Sequence, residues 1–134
     1  MRLPLAVAAL VLPSLAHAAG WSNGIDRGVP FYGYQAEGIN LTVACDPEGF
    51  YSPPQNYIQA SISGRTVNGP VVLSDGRQSV TLSFESGTAF KEAMTPENWS
   101  NAISILGNEE GFTFGQVTTG KGSDTPDQLA SDCK

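Results

Sequence analysis

Acidic residues are the commonest groups in this chain that could take part in chemistry: there are thirteen, and three pairs lie close in sequence. The pairs are Asp46 with Glu48, Glu109 with Glu110, and Asp124 with Asp127. A glycosidase needs two carboxylates that face each other across a cleft, about 5 to 9.5 Å apart, and neighbours on one turn rarely take that arrangement. None of the three stretches has the spacing of an EF-hand calcium loop. We therefore interpret these acids as solvated turn residues and predict no catalytic residue, no metal site and no cofactor.

The first eighteen residues have the order of a cleavable export signal. Met1-Arg2 gives a short positively charged start, and a mainly aliphatic run follows over residues 3–15. Ala16-His17-Ala18 then places small residues at the two positions that a signal peptidase reads. The apolar run is shorter than the roughly 20 residues of a membrane-spanning helix, although an uncleaved anchor is the alternative. We expect cleavage after Ala18, leaving residues 19–134 as one small domain in the periplasm or secreted.

Loss of this signal would leave an acidic chain without histidine. His17 is the single histidine, and without it the common nucleophile triads and catalytic zinc sites lose their main participant. Six basic residues would face thirteen acidic ones, a net charge of −7. Because phosphate affinity comes from clustered Lys and Arg, nucleic acid is not an expected partner. The charge favours a cationic partner over an anionic membrane surface, and it also serves solubility.

The two cysteines, Cys45 and Cys133, are predicted to form one disulfide. They are the only cysteines in the chain, and an exported protein meets an oxidising compartment. The bond would tie an early strand to the C-terminal tail, which is worth roughly 4 kcal/mol in the chain-entropy model. A redox-active pair is the alternative, but catalytic thiols usually lie close together as C-x-x-C.

An excess of aromatic residues over positions 31–57 is the clearest indication of a recognition surface. The six are Phe31, Tyr32, Tyr34, Phe50, Tyr51 and Tyr57. Tyrosine combines an apolar body with a polar tip, which suits binding surfaces. The residues predicted to form a platform for a peptide strand, a sugar ring or a protein partner are Tyr32, Tyr34, Phe50, Tyr51 and Tyr57. The alternative is that alternate aromatics close a small core while the others pack under a proline-containing loop.

The elements that must position these residues are mostly strands. Ile39, Leu41, Val43 and Cys45 alternate with smaller or polar residues, which predicts a strand with those four side chains in the core. Further strands are predicted over 31–36, 57–63, 71–73 and 79–85 and near the end of the chain over 112–117. Residues 19–30 are rich in turn formers and predict an irregular arm.

A helix is predicted at about residues 96–106. Thr95 can cap it, Pro96 suits its first position, and the residues Trp99, Ala102, Ile103 and Leu106 form one apolar stripe. Shorter helical turns are predicted over 88–94 and 126–130. The whole pattern indicates an α+β, mostly β fold: a small antiparallel sheet or sandwich with one helix packed on it, stapled by one disulfide.

The functional hypothesis that follows is an exported, non-enzymatic binding module for a protein or for cell-envelope material. It depends on the missing catalytic chemistry and on the aromatic cluster. Two alternatives remain open. In the first, the acidic stretch Asp46–Pro54 plugs the basic cleft of a secreted hydrolase, so that the protein is an inhibitor. In the second, the protein is a carboxylate-based hydrolase with two facing acids.

Overall fold

Ten β-strands and two α-helices form the part of the chain that a computed structural model describes, residues 20–46, 48–119 and 128–133. The strands are β1 (Gly20–Asp26), β2 (Val29–Ala36), β3 (Ile39–Ala44), β4 (Tyr57–Ile62), β5 (Arg65–Thr66), β6 (Gly69–Ser74), β7 (Ser79–Phe84), β8 (Thr88–Phe90), β9 (Thr113–Phe114) and β10 (Val117–Thr118). The helices are α1 (Pro96–Leu106) and α2 (Gln128–Cys133), and a 3₁₀ turn covers Lys91–Ala93. The predicted signal peptide and the pair Asp124 and Asp127 lie outside the described residues.

The strands form two antiparallel sheets. The first has the order β1-β2-β3-β4-β5, with β8 also paired to β4, and the second has the order β10-β9-β6-β7. Four two-residue turns have glycine at their second position, and both residues of each turn have positive φ. These turns are Arg27-Gly28, Glu37-Gly38, Ser63-Gly64 and Ser86-Gly87. Two-residue turns of this kind match the right-handed twist of paired strands, and the first three link β1 to β2, β2 to β3 and β4 to β5 as hairpins. The fourth leads from β7 in the second sheet to β8 in the first.

The core lies between the inner faces of the sheets and helix α1. Ile39, Leu41, Val43 and Cys45 are all buried, as the period-two pattern of β3 predicts. Helix α1 has the predicted bounds, and the hydroxyl oxygen of its capping residue Thr95 accepts the N–H of Asn98 at 3.1 Å. The predicted apolar stripe of α1 is buried and packs toward β6, β7 and α2. The structure therefore confirms the mostly β fold with one helix packed on antiparallel sheets.

Three bonds fasten the C-terminal helix α2 to the rest of the molecule. Cys133 forms the predicted disulfide with Cys45, 88 residues earlier, with a Cα–Cα distance of 5.1 Å. The Tyr32 hydroxyl donates to a carboxylate oxygen of Asp132 at 2.6 Å. The indole N–H of Trp99 donates to the Cys133 carbonyl. The disulfide is thus part of a buried attachment that includes both sheet and helix residues.

Three of the predicted elements are different in the structure. The predicted irregular arm, residues 19–30, contains a strand over Gly20–Asp26 and the start of β2, because the chain turns only at Arg27-Gly28 and Gly20–Asp26 pairs with β2 along its whole length. Residues 88–90 are strand rather than helix, since Ala89 is held opposite Ile58 on β4. The last strand is divided into β9 and β10 by Gly115, whose φ is +61°.

Candidate binding groove

A row of outward-facing residues crosses the first sheet. Phe31 on β2 is the register partner of Ala44 on β3, Ala44 is the partner of Tyr57 on β4, and Tyr57 is the partner of Phe90 on β8. Neighbouring strands are about 4.8 Å apart, so the backbones that carry Phe31 and Tyr57 are about 9.5 Å apart. Ala44 between them has only a methyl group. The row therefore consists of two aromatic ridges with a gap at Ala44, which is only 4 % exposed, so the floor of this gap is shielded from solvent.

This gap is part of a groove of about 680 Å³, which is within the range of roughly 300 to 1,000 Å³ typical of ligand sites. Its lining residues are Ile25, Asp26, Arg27, Val29, Phe31, Thr42, Ala44, Tyr51, Gln55 and Tyr57. The Phe31 ring lies over the backbone of β1, where a Cβ added to Gly24 would be 2.6 Å from the ring Cζ. The absence of a side chain at Gly24 lets the Phe31 ring lie over β1, and the small side chain of Ala44 leaves room in the groove beside that ring.

One wall of the groove comes from residues 48–56, which we call the Tyr51 loop. Asp46 fixes this loop: its carboxylate accepts the backbone N–H groups of Phe50 at 2.7 Å, Tyr51 at 3.0 Å and Gln55 at 3.1 Å. The side-chain carbonyl of Asn56 in turn accepts the backbone N–H of Asp46 at 2.8 Å. Three amides from two parts of the loop thus converge on one carboxylate, which holds the backbone of Tyr51 in place.

The Asp46 carboxylate is ionised at neutral pH, and both of its oxygens accept hydrogen bonds. Burial alone would raise its pKa. Hydrogen bonds from four backbone N–H groups, those of Tyr51, Phe50, Gln55 and Gly49, lower the pKa by more than burial raises it, so the pKa is below the ordinary 3.8. Asp46 is only 1 % exposed, so it is not the solvated turn acid that its sequence context predicts. The sequence signal for this role is an aspartate at the start of a turn, since Asp side chains commonly accept backbone N–H groups a few residues on.

The five aromatic residues of the predicted platform are on different sides of the sheet. Tyr51 and Tyr57 are half-buried and line the groove. Phe50 is 67 % exposed, next to Tyr51 in the same loop. Tyr32 and Tyr34 are buried on the inner face, because successive side chains of a strand point to opposite faces. Phe31, one of the six aromatics but absent from the predicted platform, takes their place in the groove.

Exposed apolar side chains concentrate around this groove. Four large apolar residues of the described chain are strongly exposed: Ile25 at 74 %, Phe50 at 67 %, Val72 at 50 % and Phe90 at 47 %. Ile25 is a lining residue of the groove. Phe50 and Phe90 are not, but Phe50 precedes the lining residue Tyr51, and Phe90 packs edge-on against the lining residue Tyr57 with ring centroids 6.1 Å apart. Only Val72, on the second sheet, is elsewhere. Clustered apolar exposure of this kind commonly marks a binding surface.

The other acidic pair within the described residues, Glu109 with Glu110, shows no comparable organisation. Glu109 and Glu110 are exposed on a turn. Within residues 20–46, 48–119 and 128–133, no three Asp, Glu, His or Cys side chains converge as metal ligands would.

The two α-helices of the described residues are short. None of the helices in these ranges is long and apolar enough to cross a membrane.

Comparison with known proteins gives no functional information. No family model, no curated protein and no solved structure matches this chain. The functional conclusion therefore depends on the groove itself.

Proposed function

We propose that this protein is an exported, non-enzymatic binding module and that the groove between Phe31 and Tyr57 is its ligand-binding surface. The observation that carries the proposal is the row in which two aromatic ridges flank Ala44, with exposed apolar side chains around it. A monomeric domain gains nothing in stability from large apolar groups left in water, so their concentration at a groove supports a role in binding.

A proline-rich peptide suits the aromatic lining of this groove. Aromatic-lined grooves accept such peptides because the extended helix is already formed and little entropy is lost on binding. Thr42 and Gln55 add polar side chains to the groove lining, and these can bond the carbonyl groups of the bound peptide.

The proposal is tested by titrating the purified protein with a P-x-x-P peptide while backbone amide chemical shifts are recorded. We expect shifts confined to the end of β1 and the turn that follows it, β2, the end of β3, β4 and the Tyr51 loop. Phe31→Ala and Tyr57→Ala should each weaken binding roughly 30-fold, since an anchor aromatic at the centre of an interface contributes about 2 kcal/mol. Short neutral oligosaccharides are the probe in a second set of titrations, because sugar rings also stack on aromatic side chains.

Val72→Ala is the matched control, because Val72 is an exposed apolar residue on the other sheet. It should bind as the wild type does. The proposal fails if neither probe shifts groove residues, or if Phe31→Ala and Val72→Ala have the same affinity. Thermal unfolding of each variant separates lost binding from lost structure.

Export is part of the proposal and has its own test. The disulfide between Cys45 and Cys133 is compatible with an oxidising compartment. N-terminal sequencing of the protein from its producing cells should begin at Ala19, and a start at Met1 would contradict cleavage.

The two alternative hypotheses receive less support. An inhibitory Asp46–Pro54 segment would need its acids outside, but the Asp46 carboxylate is turned inward and bonded to the loop backbone, which leaves Glu48 as the exposed acid. A carboxylate-based hydrolase would need two acids facing each other across a cleft. Asp26 is the single carboxylate among the residues that line the groove.

A further inference from the structure

The outer face of the first sheet continues beyond the aromatic row as a surface without charged side chains. Side chains on one face of a strand recur at every second residue, so the register of β1 to β4 defines two further outward rows. The first row is Ser22, Gly33, Thr42 and Gln59, and the second is Gly20, Gln35, Asn40 and Ser61. Every member of these rows is a glycine or carries a hydroxyl or amide group.

Part of this surface is a second groove of about 460 Å³. Its lining includes five residues that we call the neutral shelf: Ser22, Gly33, Gln35, Asn40 and Thr42. Gly33 leaves space in the middle of the shelf, since a Cβ added there would be only 3.2 Å from the Ser22 Oγ. Thr42 also lines the groove between Phe31 and Tyr57. The aromatic groove and the neutral shelf therefore adjoin at Thr42.

The polar side chains of the neutral shelf are available to a ligand. Ser22, Gln35 and Asn40 are exposed, and Thr42 is half-buried. None of these four side chains forms a hydrogen bond with another of the described residues. A hydroxyl or amide group that bonds only water can exchange that water for a ligand group at little net cost, whereas a charged group would lose its hydration. The shelf therefore suits a ligand segment that is itself uncharged.

We propose that the neutral shelf binds the continuation of the peptide in the aromatic groove, as an extended, uncharged segment of about four residues. This inference rests on the proposed function, because the groove must first hold the peptide. Ala44 and Asn40 are both outward-facing residues of β3, and their separation along the strand is about 13 Å. A polyproline II segment of about four residues covers that distance, since each residue advances about 3.1 Å.

The backbone of such a segment is chemically complementary to the shelf. A polyproline II helix has no internal hydrogen bonds, so all of its carbonyl groups can accept hydrogen bonds from a partner. The amides of Gln35 and Asn40 and the hydroxyls of Ser22 and Thr42 are donors along its path. Neither outward row contains a charged residue that could pair with a charge on the ligand. The segment recognised here is therefore rich in proline, glycine and uncharged polar residues.

Peptide length tests this proposal. The probes are the P-x-x-P peptide alone and the same peptide with four uncharged residues added at its N-terminus or at its C-terminus. One of the two extensions should raise the affinity of the wild type about tenfold, as a few additional hydrogen bonds would. The extended peptide should also shift the backbone amides of Ser22 and Asn40, which lie outside the aromatic groove.

Asn40→Asp tests the shelf itself, because it removes the N–H donors of this side chain and nearly preserves its shape. The gain from the extension should fall to about twofold or less, while the affinity for the short peptide changes less than about twofold. Asn101→Asp is the matched control. It makes the same change of charge on α1, which packs toward β6, β7 and α2, so the tenfold gain should remain.

The outcomes separate this inference from the proposed function. Equal affinities for the short and extended peptides would overturn the shelf and leave the groove as a binding site. Equal loss of the gain in Asn40→Asp and Asn101→Asp would also overturn it, since net charge would then explain the effect. A neutral oligosaccharide that shifts Ser22 and Asn40 when neither peptide does would assign the shelf to a sugar ligand instead. Failure of every probe to bind would remove both proposals.

Discussion

The two faces of the first sheet carry the same kinds of side chain but hold them in different ways. On the inner face, Tyr34 is 3 % exposed and packs between Trp21 and Phe112, with ring centroids 5.1 and 5.2 Å away. On the outer face, Tyr57 touches Phe90 on one side and borders open space on the other. Aromatic content alone therefore does not indicate a binding surface. What distinguishes the outer face is the small residue, Ala44, next to the large ones.

The largest expected effect comes from truncating matched tyrosines on the two faces. Tyr34→Ala should lower the free energy of unfolding by about 3 kcal/mol or more, since it leaves a cavity between two aromatic rings. Tyr57→Ala should cost about 1 kcal/mol or less, because its site is already open. Denaturant unfolding of both variants measures the difference. Equal losses would mean that the outer row is part of the core.

Removing the disulfide should affect the inner face and leave the groove intact. The double variant Cys45→Ala with Cys133→Ala should lose about 2 to 4 kcal/mol of stability, because the covalent link between α2 and the end of β3 is then lost. Groove affinity for the peptide probe should change less than about twofold, as the Tyr51 loop is fastened by Asp46. A parallel loss of affinity would show that the two faces are coupled through the end of β3.

The smallest effect concerns the pH dependence of the Tyr51 loop. The pKa of Asp46 is lowered in the folded protein, so its contribution to stability is fully present above the ordinary pKa of 3.8 and is lost as the pH falls through the lower folded value. Wild type should therefore lose stability below about pH 3.8 more steeply than Asp46→Asn. Unfolding midpoints measured over that range test this. Parallel curves would mean that the carboxylate does not hold the loop.

Much of the fold could be predicted from local patterns. The alternation in β3, the capped stripe of α1 and the pairing of two lone cysteines are each visible within short stretches or by counting. Tyr51 and Tyr57 were also identifiable, because they are aromatic residues beside a proline-containing loop. The strand and the helix are determined by neighbouring residues, whereas the disulfide follows from the presence of only two cysteines.

The rest depends on pairing between distant parts of the chain. Placing Phe31 rather than Tyr32 on the outer face requires the register of β2 with its neighbouring strands. An aromatic run contains no polar residue that would show which face is exposed to solvent. The row of Phe31, Ala44 and Tyr57 exists only once three strands are aligned. The prediction that Asp46 is a solvated turn residue was wrong for a related reason. The amides that bond its carboxylate belong to a loop whose path cannot be derived from composition.

The way Asp46 holds the Tyr51 loop has a consequence for redesigning its specificity. The carboxylate bonds to main-chain amides, which every residue except proline possesses. Exchanging the side chains of Phe50, Tyr51 or Gln55 therefore leaves all three bonds available. A library randomised at these positions should keep a common backbone shape while the chemistry presented to solvent varies, much as a small antibody-like scaffold does.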